Sequence, residues 1–261
     1  MSSSLIAFAA DLAAGRLRVV DLTQTLAPGF PSISLPAEFG QIWAFRMETI
    51  SRYDAAGPQW YWNNFCCGEH TGTHFDAPSH WVSGKDHADN CVDTIAARNF
   101  IAPAAVVDAS AEVAADPDWL LTVDHLQTWE ARHGRIPRGS WLLFRTDWSK
   151  RIGDPAAFVN LREDGAHTPG PTEEAAEWLV NERHVHGFGV ETINTDAGQS
   201  HAWSPPYPCH RVLHGANRYG LQCLRNLDEL PPTGALIISA PLKIQGGSGS
   251  PLRVLAVVPG R

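Results

Sequence analysis

No two cysteines in the chain stand in a C-x-x-C spacing, and the five present (Cys66, Cys67, Cys91, Cys209 and Cys223) make an odd number. That usage argues against a disulfide framework and predicts reduced thiols in a cytoplasmic protein. There is no Lys/Arg-rich run, and the formal charge of −8 disfavours a nucleic-acid or anionic-membrane partner. No apolar stretch approaches the length of a membrane span. The N-terminus lacks a basic segment, and Asp11 interrupts its apolar part, so it reads as an amphipathic helix rather than a signal peptide. Repeats, low-complexity tracts and linkers are missing too. The 261 residues, 44% of them hydrophobic, therefore read as one domain with a sizeable core.

What the chain does have is concentrated in His70-Thr-Gly-Thr-His74-Phe-Asp76-Ala-Pro-Ser-His80. Thr71 and Thr73 are β-branched, Gly72 is a weak helix former and Pro78 breaks a helix, so the stretch is extended. In an extended chain successive side chains alternate between faces, which puts His70, His74, Asp76 and His80 on one face. Imidazole and carboxylate suit a divalent cation, and three protein ligands with an open position is the catalytic pattern. His70, His74 and Asp76 are the expected ligands. His80, past the bend at Pro78, is the expected acid/base. An ion held there lowers the pKa of its water toward ~7 and supplies hydroxide to attack a carbonyl. Aspartate as third ligand makes Mn2+ as credible as Zn2+. A site closed by a fourth ligand, His80, would instead mark a metal-binding protein without turnover.

The same run resembles the HxGTHxDxPxH signature of the metal-dependent cyclase-family hydrolases, which include bacterial kynurenine formamidases and isatin hydrolases. Gly68-Glu69, Trp81, Gly84-Lys85-Asp86, Arg145-Thr-Asp-Trp148, His167-Thr-Pro-Gly-Pro171, Thr195-Asp-Ala-Gly-Gln199 and Pro241-Leu-Lys-Ile244 are most similar to the isatin hydrolase branch. The resemblance spans about Val19 to Pro259. It implies opening of a cyclic amide of the isatin type, with N-formylkynurenine hydrolysis or a cyclic imide or lactone as alternatives. In the formamidase branch a His and a Glu twelve residues later help to hold a second ion. His210 matches that His, but position 222 is Gln. One ion per chain is therefore expected, because two cations need anionic charge between them.

His210 and His214 lie one helical turn apart and are expected to handle substrate or protons. Trp60, Trp62, Trp81 and Gln222 are the expected substrate contacts, since several rings beside a metal site suit a flat substrate. Cys209 beside His210 is a remote nucleophile candidate; buried structural cysteine is the commoner case.

Alternating strands and helices predict an α/β chain, and tight strand pairs at both ends argue against a purely parallel sheet. Expected strands include 18–22, 42–50, 60–67, 104–109, 141–145 and 187–193; expected helices include 4–14, 122–133 and 171–182. The resemblance implies a swivelling β/β/α fold, a central mixed sheet or barrel with peripheral helices. The proline-rich arm from Thr25 to Pro36 carries Leu26, Phe30, Ile33 and Leu35. An apolar arm of that kind predicts a homodimer or higher homo-oligomer, with the N-terminal helix and arm (1–36) in its contacts.

Overall fold

The computed structural model describes residues 4–33 and 40–260. Helix α1 (Ser4–Ala13) leads into strand β1 (Leu17–Asp21), a hairpin of β2 (Arg46–Asp54) and β3 (Gly57–Cys66), and the short β4 (His74–Asp76). Strand β5 (Ile101–Asp108), α2 (Ser110–Ala115), β6 (Leu120–Leu121), α3 (Val123–His133) and β7 (Trp141–Arg145) follow. Then come α4 (Pro155–Val159), the two-residue strands β8 (Leu161–Arg162), β9 (Gly165–Ala166) and β10 (Gly170–Pro171), α5 (Glu173–Asn181) and β11 (Gly187–Val190). The chain closes with α6 (Pro208–Gly215), β12 (Tyr219–Gln222), β13 (Thr233–Ile238), β14 (Gly249–Pro251) and β15 (Leu255–Pro259).

Nine strands make one mixed sheet in the order β1-β15-β13-β5-β7-β11-β12-β4-β14. Strands β5, β7, β11 and β12 are parallel in the middle, and the outer strands pair antiparallel. The parallel strands explain the unbroken apolar runs. Ala105 and Val107 of β5 enter one buried cluster while Ala104 and Val106 enter the other. Leu142 and Phe144 of β7 oppose Trp141 and Leu143 in the same way. Strands covered on both faces need apolar side chains at every position. The sheet also curls: Thr23, just past β1, bridges Leu224, just past β12. The result is the curled mixed sheet with peripheral helices that the resemblance implies.

Helix boundaries follow local chemistry. Thr122 caps α3, and its side chain and that of His125 satisfy each other's backbone N–H groups. Thr172 accepts from Ala175 N at the start of α5, where Glu173 and Glu174 oppose the helix dipole. In β4, Phe75 is fully buried among Phe100, Trp141 and Tyr219. Truncating it to Ala would cost about 3–5 kcal/mol and loosen the strand that carries His74 and Asp76.

One expectation shifts. The strands expected over 42–50 and 60–67 fall at Arg46–Asp54 and Gly57–Cys66, with a turn of only two residues between them. Among the described residues these strands pair only with each other, so Pro58 interrupts no ladder to a third strand there. The arm, in its described part, lies on its own chain: Phe30 is buried with its ring 6.5 Å from Phe158, and Leu26 packs against the same cluster. Ser34, Leu35 and Pro36 lie outside the described residues.

Candidate metal centre

The extended face expected over 70–80 is only partly extended. His74 and Asp76 do share one face of β4, opposite Phe75. His70 arrives differently, from a turn closed by Gly72 at φ +68°, a conformation that costs glycine little. His80 ends a short 3-10 turn, Pro78–His80. Asp76 is flanked in register by Gly220 of β12 and Gly249 of β14. A Cβ at Gly249 would lie 2.5 Å from the His70 ring, and one at Gly220 would lie 3.1 Å from Asp76 Oδ2. The two glycines leave the space in which side chains gather on the carboxylate.

Their hydrogen bonds orient the rings. His74 Nδ1 is 2.8 Å from the Gly72 carbonyl, which can only accept, so the hydrogen sits on Nδ1. Its Nε2 is left as a lone pair 3.4 Å from Asp76 Oδ1. His70 Nδ1 lies 2.7 Å from the same oxygen. One atom from each of His70, His74 and Asp76 falls within 4.8 Å of the others, and Asp76, His80 and His210 meet the same limit. This buried donor set fits a divalent cation. Both trios depend on the single carboxylate of Asp76, which favours one ion over two that would repel each other. Burial would raise the Asp76 pKa, but His80, His70 and His210 around it hold the carboxyl well below its usual range.

Helix α6 brings the remaining histidines. Asp196, fully buried, accepts from Cys209 N at 2.7 Å and His210 N at 3.1 Å, fixing the start of the helix. Its Oδ2 is also 2.5 Å from His210 Nδ1, and His210 Nε2 lies 3.6 Å from Asp76 Oδ2. Burial opposes a charge on His210, but hydrogen bonds to Asp196 and Asp76 outweigh it and push the pKa up to about 9. His214, one turn on, holds the Arg218 carbonyl with Nδ1 at 3.0 Å. Its buried Nε2 has no partner among the described residues. Burial and the charge on His210 push His214 down to about 4.

His80 stacks on His70 at 3.8 Å between ring centroids and sits 5.6 Å from His210 and 6.2 Å from His214. Burial and the imidazoles of His70, His210 and His214 push its pKa down to about 2 against the pull of Asp76. Trp81 borders the cluster, 5.0 Å from His210 and 5.7 Å from Tyr207. Gln222 lies beside the carboxylate, donating a short hydrogen bond to Asp76 Oδ2, and its buried Oε1 has no partner among the described residues. Trp60 and Trp62 stand on β3 with 47% and 54% of their surface exposed. Cys209 is buried, and burial and Asp196 raise its thiol well above the usual range, so it offers no thiolate. Asp196 was visible in the sequence only within the Thr195-Asp-Ala-Gly-Gln199 run; its bond to His210 was not.

Residues 20–197 match the Cyclase family. The isatin hydrolase of Roseibium aggregatum is 50% identical over 258 residues, 98% of this chain and 98% of that protein. Isatin hydrolase A from Ralstonia solanacearum superposes with a TM-score of 0.98 at 70% identity, covering 99% of this chain and 98% of that one. A crystal structure of an isatin hydrolase bound to the product analogue thioisatinate superposes with a TM-score of 0.96 at 49% identity, covering 99% of this chain and 100% of that one.

Proposed function

The chain belongs to the Cyclase family, and on that premise we propose that it is a metal-dependent hydrolase that opens a cyclic amide, isatin or a close analogue, to the ring-opened carboxylate. The observation that carries this reading is the buried Asp76 carboxylate, with His70, His74 and His210 converging on it and His80 completing the group. His70, His74 and Asp76 would hold one divalent ion per chain, Mn2+ or Zn2+. Bound there, the ion polarises a carbonyl oxygen and makes water more acidic at neutral pH.

The side chains supply the rest. His80, stacked on His70 beside the donors, takes a proton from the attacking water and returns it to the ring nitrogen as the C–N bond breaks. His210, charged between two carboxylates, presents a positive group beside the site where negative charge develops. The free Nε2 of His214 is an acceptor for the N–H of a cyclic amide. Trp81 gives a flat wall for a fused ring. Turnover of isatin against N-formylkynurenine, a cyclic imide and a lactone on metal-loaded protein tests the substrate class. Preference for the formamide would move the assignment to the formamidase branch.

Among the described residues no helix is long and apolar enough to cross a membrane. The reading keeps a cytoplasmic location, in line with five unpaired cysteines. It also keeps a homodimer. Helix α1 buries none of its residues, and Met47, Tyr53, Trp60, Trp62 and Phe65 expose large apolar surface on the β2–β3 hairpin. Apolar surface on that scale suits contact with a second copy, which would bring Trp60 and Trp62 to the neighbour's site.

A further inference from the structure

We infer that Glu69 and Ser248 are positioning residues for the metal centre: together they fix which ring nitrogen of His70 faces the cation. The inference rests on the assignment of His70, His74 and Asp76 as the donors.

Ser248 Oγ lies 2.7 Å from Glu69 Oε2 and 3.0 Å from His70 Nε2. A hydroxyl carries one hydrogen, and an ionised carboxylate can only accept. The Ser248 hydrogen therefore goes to Glu69, and the oxygen is left to accept from His70. That places the imidazole hydrogen on Nε2. Nδ1, 2.7 Å from Asp76 Oδ1, is then a lone pair facing a second acceptor, an arrangement that a cation held by both atoms makes favourable. The carboxylate also takes Ser248 N at 3.2 Å, so it holds backbone and hydroxyl together.

The loop around Ser248 fits this task. A Cβ at Gly247 would lie 3.0 Å from Glu69 Oε1, and one at Gly249 would lie 2.5 Å from the His70 ring. Only side chains as small as these allow the serine to sit between acid and imidazole. Backbone bonds hold the loop: Ala77 N, next to Asp76, donates to Ser248 O at 2.9 Å, and Val92 N donates to Gly247 O at 3.0 Å. The glycine-rich stretch 246–249 is thus part of the site rather than a plain connection between strands. Outer partners of this kind commonly contribute 10–100-fold to metal affinity.

The test is Mn2+ affinity, measured by competition with a chromophoric chelator on the full chain, alongside the melting temperature of the metal-free forms. Ser248→Ala and Glu69→Gln should each weaken binding by about tenfold or more, with melting temperature unchanged. The double variant should bind no worse than the weaker single variant, because the two residues act as one relay. Ser248→Thr, which keeps the hydroxyl, should stay within about threefold of wild type. Wild-type affinity in both Ser248→Ala and Glu69→Gln overturns the inference while leaving the metal assignment standing. Weakened binding matched by a lower metal-free melting temperature in Glu69→Gln also overturns it, since the residue would then be structural. A wild-type chain that binds neither Mn2+ nor Zn2+ overturns the assignment and the inference together.

Discussion

His210 Nδ1 lies 2.5 Å from Asp196 Oδ2 while its Nε2 lies 3.6 Å from Asp76 Oδ2, so one imidazole spans two buried carboxylates. Asp196 does two things at once: it seats α6 through two backbone N–H groups and keeps His210 protonated. Asp196→Asn turns one of its acceptors into a donor facing a donor. The expected loss is about 1–3 kcal/mol of stability, read by urea denaturation. Turnover should fall by roughly 10–100-fold in the fraction that stays folded. Wild-type turnover in Asp196→Asn would remove His210 from the account.

Asp76 and His80 should separate binding from chemistry. Asp76→Ala takes away the one carboxylate shared by both candidate trios, so metal content should drop to background. His80→Ala should retain the ion and lose about 10²–10⁴-fold in turnover, the usual contribution of a positioned acid/base. Metal content by elemental analysis beside steady-state rates gives both readouts. An Asp76→Ala protein with full occupancy would displace the ligand assignment.

A pH-dependent contribution to stability comes from His167, far in sequence from the donors. Its Nδ1 is 2.6 Å from Asp118 and its Nε2 2.9 Å from Asp164. The Asp164 hydrogen bond, followed by that of Asp118, raises the imidazole above its ordinary value. A raised histidine stabilises fully below its unfolded pKa of about 6.5, and the contribution is lost as pH rises through the folded value. The gap in melting temperature between wild type and His167→Gln should be widest below about pH 6.5 and narrow as the pH rises above it. A gap that holds constant across that range would contradict the charged pairing.

Sedimentation at micromolar concentration should give a dimer. Trp60→Ser with Trp62→Ser, both on exposed positions of β3, should shift it toward monomer and raise KM. A wild-type chain that sediments as a monomer with full activity would end the two-copy reading.

How far the sequence could be read depended on the range of each interaction. His74 and Asp76 were legible because alternation within a strand is local, and so was the capping of α5 by Thr172. His210 and His214 were legible as one helical turn. The route of His70 was not, because a turn at Gly72 rather than strand pleat brings it to Asp76. Trp60 and Trp62 stand on an exposed hairpin, so their place at a site turns on a second copy, which no local pattern encodes. Gln222 was expected to face substrate; its bond to Asp76, set by register with His74 across β12 and β4, was not legible. The Ser248–Glu69 contact joins residues 179 apart, and no local pattern encodes a pairing of that span.

The most direct test is ring opening of isatin by the chelator-stripped chain as Mn2+ or Zn2+ is titrated back. The account predicts no turnover in the stripped protein and recovery that saturates at one ion per chain, with the ring-opened carboxylate as product. Isatin hydrolysis that persists in protein shown to be free of metal, or a fully loaded chain that leaves isatin intact, would contradict it.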